Sequence, residues 1–316
     1  MKKIIFTLVC VMTTLISYGQ QERQYTQFMY NKLSFNPGYA GSYEAACLTG
    51  IYRNQWIGLD GAPRSISLSF DAPLNNERVG VGLNLHTNKI GITNTVTVDG
   101  SYAYRLRLGK GTLGIGLQAS VRYFSNNYAD ERLQGTQDIG SDGGIPIGRV
   151  NKYLPNFGAG LYYQTPMFYA GFSAPRLLSN NIDFSSQNPK GGKESSHLYA
   201  MSGVLLPISK KVQIQPQLLV KFVSNAPVDL DFNLNFIFNK KFTVGGTYRT
   251  GGDSQSVGES IDLIGSAFVT DNLMFGLSYD ITLSGLRDYS SGSFEAVVRY
   301  CFGKPGGEDV INPRFF

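Results

Sequence analysis

The chain has few of the residues on which metal sites and disulfide frameworks depend. Its 316 residues include three Cys, two His and one Trp, and 16% are charged, against about 25% in soluble globular domains. So few Cys and His argue against a tetrahedral zinc site, which needs three or four such ligands close together. Gly (37), Tyr (19) and Phe (20) are abundant instead, and this composition excludes a disordered chain.

Long apolar runs are absent after the first 19 residues. Residues 1–19 combine Lys2 and Lys3 with an apolar stretch from Ile4 to Ile16, a pattern typical of a secretory signal. That stretch is shorter than the roughly 20 residues of a membrane-spanning helix. Without the two lysines the chain has 26 basic (28 − 2) and 23 acidic residues, so its charge gives no reason to expect a nucleic-acid partner.

Apolar and polar residues alternate with period two in about fourteen segments between residues 46 and 303. In one of them Ile66, Leu68 and Phe70 alternate with serines, which is typical of a strand with one apolar face. The segments start near Ala46, Arg64, Val79, Thr95, Thr112, Asn156, Met167, His197, Val212, Val228, Phe242, Val257, Leu273 and Ser293. Several reach the roughly 9 to 11 residues that a tilted strand needs to cross a bilayer.

This pattern predicts an all-β fold, a transmembrane antiparallel up-and-down β-barrel of outer-membrane type. The alternative is a soluble β-sandwich, whose strands are usually about five or six residues long. Long strands rich in Tyr and Phe favour the membrane. Short turns such as 109–111 and 239–241 also alternate with longer polar connections at 126–155, 179–196, 250–256 and 285–292, as in outer-membrane barrels.

The predicted domain organisation is a signal peptide at 1–19, an N-terminal arm at 20–45, a barrel at 46–303 and a periplasmic tail at 304–316. Both chain ends are expected in the periplasm, unless the arm lies in the lumen. The arm mixes aromatic and amide side chains, so it either plugs the lumen, which we favour, or lies at the periplasmic rim. The tail is either a docking peptide or a disordered end.

Strand phase predicts a lumen of balanced charge. The basic side chains expected there are Arg53, Arg105, Arg107, Arg122, Lys221 and Arg299, and the acidic ones are Asp71, Asp99, Asp229, Asp231, Asp262, Asp280 and Glu295. Selective pores more often place a ring of one sign at their constriction. An equal number of positive and negative side chains is typical of charges that pair with each other, of a plugged lumen or of a lumen that holds a polypeptide. The alternative for each residue is a lumen wall that contacts only water.

Signals of catalysis are weak, and the sequence predicts no enzyme, cofactor or metal. Ser196 and His197 are adjacent on a strand and point to opposite faces, so they do not suit a hydrolase. The segment Gly114 to Ala119 matches a dinucleotide motif by letters, but no helix follows it, and small residues in a barrel wall are the ordinary interpretation. Asp138 and Asp142 lack the spacing of a calcium loop.

Two cysteines remain after the signal. Cys47 begins the first strand and Cys301 ends the last, so both are expected near the rim where these strands meet. A disulfide across this seam is possible, but we favour two buried free thiols.

Four stretches carry a family resemblance that covers essentially the mature chain: Gln27 to Asn31 with Asn36 to Ser42; Arg53 to Pro63 (RNQWIGLDGAP); Asn88 to Gly91 (NKIG); and Tyr279-Asp280 with Tyr289 to Glu295. On these the chain resembles the PorP/SprF family of outer-membrane proteins in the type IX secretion and gliding machinery of Bacteroidota. The resemblance implies a barrel that supports secretion and surface anchoring of large adhesins with type B C-terminal domains. It also implies association with periplasmic ring components, and it transfers no catalytic residue.

We therefore predict an outer-membrane barrel, embedded in the lipid bilayer, that binds the C-terminal domain of an exported surface protein. The partner-binding candidates are Arg53, Asn54, Gln55, Trp56, Asp60, Arg105, Arg107, Arg122, Asp280 and Arg299, with Phe28, Tyr30, Asn36, Pro37 and Tyr39 in the arm and Arg314, Phe315 and Phe316 in the tail. A rigid hairpin without a partner is the alternative for residues 54–63. The alternative function is a passive, porin-like solute channel, and an outer-membrane hydrolase ranks last.

Overall fold

The strands close into a barrel. The computed structural model describes Glu22 and residues 24–43, 45–74, 77–133, 146, 148–182, 194–224, 226–251 and 257–302. These residues form fourteen antiparallel strands: β1 (Ala46–Asn54), β2 (Arg64–Leu74), β3 (Val79–Ile90), β4 (Thr93–Leu108), β5 (Gly111–Asn127), β6 (Arg149–Gln164), β7 (Phe168–Arg176), β8 (His197–Val204, continued by Leu206–Pro207), β9 (Val212–Val223), β10 (Asp229–Phe238), β11 (Phe242–Arg249), β12 (Ser260–Phe268), β13 (Leu273–Thr282) and β14 (Ser293–Phe302). Each strand pairs with its neighbours in sequence.

The seam lies between the first and the last strand. β1 and β14 pair from Ala46 opposite Phe302 to Asn54 opposite Phe294, and this pairing closes the sheet. The predicted fold class is therefore confirmed. None of the short helices in the described part of the chain could cross a membrane.

The barrel is apolar on its outside. Large apolar side chains along the outward faces are exposed, for example Leu117 (62%), Phe157 (58%) and Leu263 (57%). Their neighbours in sequence point inward and are buried, including charged residues such as Asp262 and Glu295. A lipid environment explains this inversion, because lipid accepts apolar side chains and cannot hydrogen-bond polar ones.

The two rims differ in the length of their connections. At one end the strands are joined by 55–63, 91–92, 128–148, 177–196, 224–228, 250–259 and 283–292, and this end is called the long-loop rim. At the other end the connections are 75–78, 109–110, 165–167, 208–211, 239–241 and 269–272, and this end is called the short-turn rim. Two predicted boundaries were wrong. β6 begins at Arg149 instead of Asn156, since Arg149 to Pro155 pair with β5, and β12 begins at Ser260 instead of Val257.

A disulfide joins Cys47 to Cys301 at the short-turn end of the seam. The expectation of two free thiols was wrong, because the register places these residues directly opposite each other on β1 and β14. The bond covalently joins the first and last strands.

Candidate partner-binding site

The arm lies inside the barrel. Glu22 is next to inward-facing residues near the long-loop rim, where Arg122 of β5 and Arg176 of β7 bind its carboxylate at 2.6 and 2.9 Å. Tyr43 lies near the short-turn rim, with the Arg299 guanidinium 4.5 Å from its ring centroid. The segment between them forms three short 3₁₀ turns, Phe28–Tyr30, Lys32–Ser34 and Pro37–Tyr39. The arm thus follows the lumen from one rim to the other and then enters β1.

Arg53 connects the seam with the arm. Its guanidinium contacts Asp280 at 2.7 Å and Glu295 at 3.2 Å, and it donates a hydrogen bond to the Thr26 hydroxyl at 2.9 Å. The Glu295 carboxylate accepts hydrogen bonds from the backbone N–H groups of Thr26 and Gln27 at 3.0 and 2.8 Å. Arg53 and Asp280, two partner candidates, therefore contact the chain's own arm in this structure.

A second charged cluster lies on β9 to β12. Arg249 donates to Asp231 at 2.8 Å, and Lys221 contacts both Asp231 and Asp229 at 2.9 and 3.1 Å. Gln24 of the arm donates to the Asp229 carboxylate at 3.0 Å. The charges of this cluster are thus paired with one another and with the arm.

Near Glu22, a third cluster contains a residue that the sequence analysis did not single out. Glu194, from the connection before β8, contacts Arg122 at 2.6 Å. No signal in the sequence pointed to Glu194, because it lies outside any alternating segment. Arg122, a partner candidate, thus contacts both the arm and a long-loop residue.

The lumen is apolar towards its middle and short-turn half, which the prediction of a polar lumen missed. Phe28, Met29, Leu33, Phe35 and Tyr39 of the arm are buried against inward-facing residues of the wall. The wall contributes Ile51, Tyr162, Tyr169, Met201, Leu219, Ile237, Ile264, Met274 and Val297. These apolar side chains can face inward because the arm, and not water, covers them.

Polar side chains of the arm are anchored to the wall. The Tyr30 hydroxyl hydrogen-bonds the Ser266 hydroxyl at 2.7 Å. Asn36 donates to the Leu161 carbonyl at 2.9 Å, while its side-chain oxygen accepts the Gly38 N–H at 2.8 Å and so caps the turn that contains Pro37. The Tyr39 ring packs edge-on against Tyr162, with centroids 5.2 Å apart.

Inward-facing glycines form a shelf beneath the arm. A Cβ atom at Gly114 would lie 2.2 Å from the Gly38 oxygen, and one at Gly116 would lie 2.2 Å from the Gly38 nitrogen. On β3, a Cβ at Gly80 would overlap the Ala40 backbone. The small residues seen in the sequence of β5 thus have a specific role, since the arm backbone occupies the space that side chains would fill.

The remaining basic candidates lie near the short-turn rim. Arg105 is buried and donates to the Glu77 carbonyl at 3.3 Å, and Arg299 is buried beside Tyr43. Arg107 was expected in the lumen but is exposed. It lies at the short-turn end of β4, one residue before the strand ends at Leu108. Arg314, Phe315 and Phe316, like residues 1–19, Asp138 and Asp142, lie outside the described residues.

The cavities beside the arm are small where the structure describes their walls. Cavities of about 20 Å³ lie beside Tyr25 and beside Gln24, and one of about 10 Å³ lies beside Tyr30. Each is of the size that one water molecule needs.

Three segments that are distant in sequence meet at the long-loop rim. Ile57 donates its N–H to the Gly292 carbonyl at 2.8 Å, and Ser291 donates to the Ile57 carbonyl at 2.7 Å. On the other side, the Gly91 N–H bonds the Gly61 carbonyl at 2.8 Å. The connected residues 54–63, 88–91 and 284–293 are called the rim platform. They contain most of three of the four stretches that carry the family resemblance, whereas the first of those stretches lies in the arm.

The hairpin of the platform has an unusual backbone. Trp56 has φ of +50°, where bulky residues are rare, and its N–H donates to the Ser293 hydroxyl at 3.1 Å. Gln55 donates to the Pro63 carbonyl at 3.0 Å, and Asp60 precedes Gly61, whose φ is +74°. This backbone is fixed by hydrogen bonds on both sides. Strained conformations of this kind often mark functional sites.

An open cleft of about 230 Å³, called the rim cleft, lies at the edge of the platform. Its walls are the hairpin, including Asn54, Trp56 and Asp60, together with Arg64, Lys89, Gly91 and Arg132. Arg132 donates to the Gly91 carbonyl at 3.2 Å and to both oxygens of Asp130 at 2.7 Å. Hydrogen bonds from Arg132 hold the pKa of the Asp130 carboxyl well below its usual range.

The described residues present no arrangement that suggests catalysis. Ser196 donates to the Arg176 carbonyl at 2.6 Å, whereas the His197 ring bonds the Ser195 carbonyl at 3.0 Å. The two side chains therefore have separate partners. Within the described part of the chain, no group of three or more His, Cys, Asp or Glu could hold a metal ion.

Sequence comparison identifies a family. The sequence model of the family described as "Type IX secretion system membrane protein PorP/SprF" matches residues 17–300. This match covers nearly the whole chain and confirms the resemblance. No curated protein matches the chain.

A solved channel protein is similar in fold. The CymD monoaromatic hydrocarbon channel aligns with a TM-score of 0.52 and 14% identity over 89% of this chain and 94% of that chain. The Acinetobacter baumannii outer membrane protein Omp33 aligns with a TM-score of 0.48 and 10% identity over 83% of this chain and 100% of that chain. At such identities the similarity to CymD concerns the fold alone.

Proposed function

Because the chain belongs to the PorP/SprF family of type IX secretion system membrane proteins, we propose that it binds the C-terminal domain of an exported surface protein at the rim platform. Binding there supports secretion of that protein and anchors it at the cell surface. The convergence of segments 54–63, 88–91 and 284–293 into one hydrogen-bonded surface carries this proposal. Loops supported by a rigid scaffold are common sites of recognition.

Exposed side chains give the platform its binding capacity. Tyr289 is 72% exposed and Leu59 is 36% exposed, while Trp56 is half-buried and, like Leu59, lines the rim cleft. Aromatic and apolar side chains that are held in place dominate the energy of many interfaces. Because long loops of outer-membrane barrels face the outside of the cell, the platform would meet a partner after its export.

The filled lumen favours docking at the rim over insertion into the barrel. Arg53, Arg122 and Asp280 already bind the arm or its neighbours, so a partner inside the lumen would first have to displace the arm. The short-turn rim and the tail would face the periplasm and contact other components of the secretion system. No covalent step is required, so the protein would act as a binding component and not as an enzyme.

The test compares variants of the platform with a matched variant of the lipid-facing wall. The full chain, tagged in its native cell, is purified under mild extraction, and the co-purifying exported protein is identified. The double variant Trp56→Gly, Tyr289→Ser should lower the recovered partner at least tenfold and release it into the medium. Glycine at position 56 tolerates the positive φ, so the hairpin backbone is retained.

The control is Phe172→Ala, which removes an outward-facing aromatic of β7 that is 54% exposed. It should leave recovery unchanged. A deletion within 128–148 tests the longest connection without shortening β5 or β6. Unchanged surface retention in the double variant and the deletion, with normal amounts of folded barrel, would contradict the proposal.

The alternative is a passive solute channel, and it requires the arm to leave the lumen. The described cavities next to the arm hold about one water molecule each. A steady conductance of the intact protein in planar bilayers would favour the channel.

A further inference from the structure

The outward side of the rim cleft carries two cations that face each other. Arg64 of β2 lies directly opposite Lys89 of β3, and both lie on the outward-facing phase of their strands. Side chains at such positions are about 5 Å apart at Cβ, and like charges there are destabilising. Within the described residues, no carboxylate oxygen lies within salt-bridge distance of either side chain, although the charge of Lys89 acts on the nearby Asp130.

The charge of the cleft is positive. Its walls contain three basic residues, Arg64, Lys89 and Arg132, against the acidic Asp60. Asp130 lies next to the cleft, but both of its oxygens bind Arg132. Arg64 and Lys89 therefore remain available to an anion, with Asp60 as the carboxylate that shares the cleft with them.

The two cations lie directly above the lipid-facing surface. Asn54, Arg64 and Lys89 lie side by side on the three adjacent strands β1, β2 and β3. Two residues closer to the short-turn rim, the outward-facing side chains of β1 and β2 are Tyr52 and Ile66. The next row has Leu68 opposite Leu85. These four apolar side chains are all exposed on the outside of the barrel. A ligand with an anionic head and apolar chains would match both surfaces at once.

We infer that the rim cleft binds the phosphorylated headgroup of a glycolipid of the outer leaflet. Arg64 and Lys89 bind the phosphate, and the acyl chains lie along Tyr52, Ile66, Leu68 and Leu85. Arginine and lysine are the usual phosphate ligands, and basic clusters beside a membrane commonly bind lipid headgroups. Trp56, which lines the cleft, is a residue type enriched at the membrane interface.

An acidic segment of a protein is a less suitable occupant. Arg64 and Lys89 point away from the barrel axis, on the side that faces the bilayer, whereas Tyr289, the most exposed apolar residue of the platform, does not line the cleft. The volume of about 230 Å³ is below the range of about 300 to 1,000 Å³ for sites that enclose a whole ligand. A headgroup whose chains remain in the membrane fits that size.

The experiment measures lipid binding by the full chain in nanodiscs of zwitterionic phospholipid. The probes are diphosphorylated lipid A and the same lipid A after removal of both phosphates, and occupancy is read by native mass spectrometry. The intact protein should bind the phosphorylated form at least tenfold more tightly. In the double variant Arg64→Gln, Lys89→Gln the ratio of the two affinities should fall to about one. The double variant Arg64→Lys, Lys89→Arg keeps both positive charges and should keep the ratio of the intact protein.

The matched control is Lys240→Gln, Lys241→Gln, which removes two exposed lysines from the short-turn rim and should leave the preference unchanged. Equal affinity for both lipids in the intact protein would overturn the inference. So would an unchanged preference in Arg64→Gln, Lys89→Gln. If that variant lost the exported protein while keeping its lipid preference, the cleft would bind a protein segment instead. Co-purification of the exported protein is measured separately, so the lipid site and the proposed function can fail independently.

Discussion

Arg53 and Glu295 lie opposite each other across the barrel seam, and both bind the arm through Thr26. The same carboxylate thus pairs with the neighbouring strand and accepts two backbone N–H groups from the plug. One buried carboxylate therefore contributes both to the closure of the barrel and to the placement of the arm.

We expect Glu295→Gln to lower the free energy of unfolding by about 3 kcal/mol, because it breaks a buried charge pair and presents an N–H group to a backbone donor. Thermal unfolding in detergent, followed by circular dichroism, measures the loss. Asp288→Asn is the control, since Asp288 is largely exposed, and it should change little. Equal stability of Glu295→Gln and the intact protein would contradict this role.

Substitution of a glycine in the shelf should displace the arm without deleting it. A side chain from Gly114→Val would occupy the place of the Gly38 backbone, so we expect the turn at Pro37 to leave the wall. Conductance in planar bilayers should rise at least tenfold over the intact protein. Gly265→Val adds the same side chain where no atom lies within 4 Å and should not conduct. A closed Gly114→Val barrel would show that the shelf does not hold the arm.

The seam disulfide predicts sensitivity to reduction. Its loop spans 254 residues, and the loop-closure entropy gives a stabilisation of about 5 kcal/mol at most. Cys47→Ser, or reduction of the intact protein, should therefore lower the temperature at which the barrel loses its compact mobility on gels. Alkylation of the unfolded protein without reductant should add no mass at Cys47 or Cys301. A mass increase at either residue would rule out the bond.

Replacing the buried Lys32 with an apolar residue should stabilise the barrel. Its ammonium group is fully buried, lies 4.3 Å from the centroid of the Tyr169 ring, and has no hydrogen-bond partner among the described residues. Burial of an ammonium group without a hydrogen-bond partner costs free energy, and an apolar side chain of similar length avoids that cost. Lys32→Met should thus raise the denaturant midpoint, whereas Lys32→Ala should lower it by leaving a cavity. A lower midpoint for Lys32→Met would mean that the cation–π contact outweighs the cost of burial.

The strands could be predicted from the sequence because each has one face in lipid and one face inside. This constraint imposes period two, and all fourteen predicted segments correspond to strands, thirteen of them starting within three residues of the predicted position. The start of β6 was missed because Arg149 to Pro155 extend the strand beyond the region of clean alternation. The pairing of Cys47 with Cys301 also followed from the order of the strands, although their oxidation state did not.

The inner architecture could not be predicted in the same way. The alternation with period two indicates which side chains face the lumen. It does not indicate whether water or another part of the chain contacts them. The apolar Met201 and Ile237 therefore gave no indication that the arm covers them. The convergence of Ile57, Gly91 and Gly292 on the rim likewise depends on neighbouring hairpins, which no local pattern reveals.

The path of the arm has a consequence for the order of assembly. The Tyr39 ring and the turn at Pro37 are packed between the walls of the lumen, so an arm that entered after closure would have to carry these side chains through one rim. We therefore expect the sheet to curl around the arm while the seam between β1 and β14 is still open. The Cys47–Cys301 bond would then form only after the first and last strands have paired.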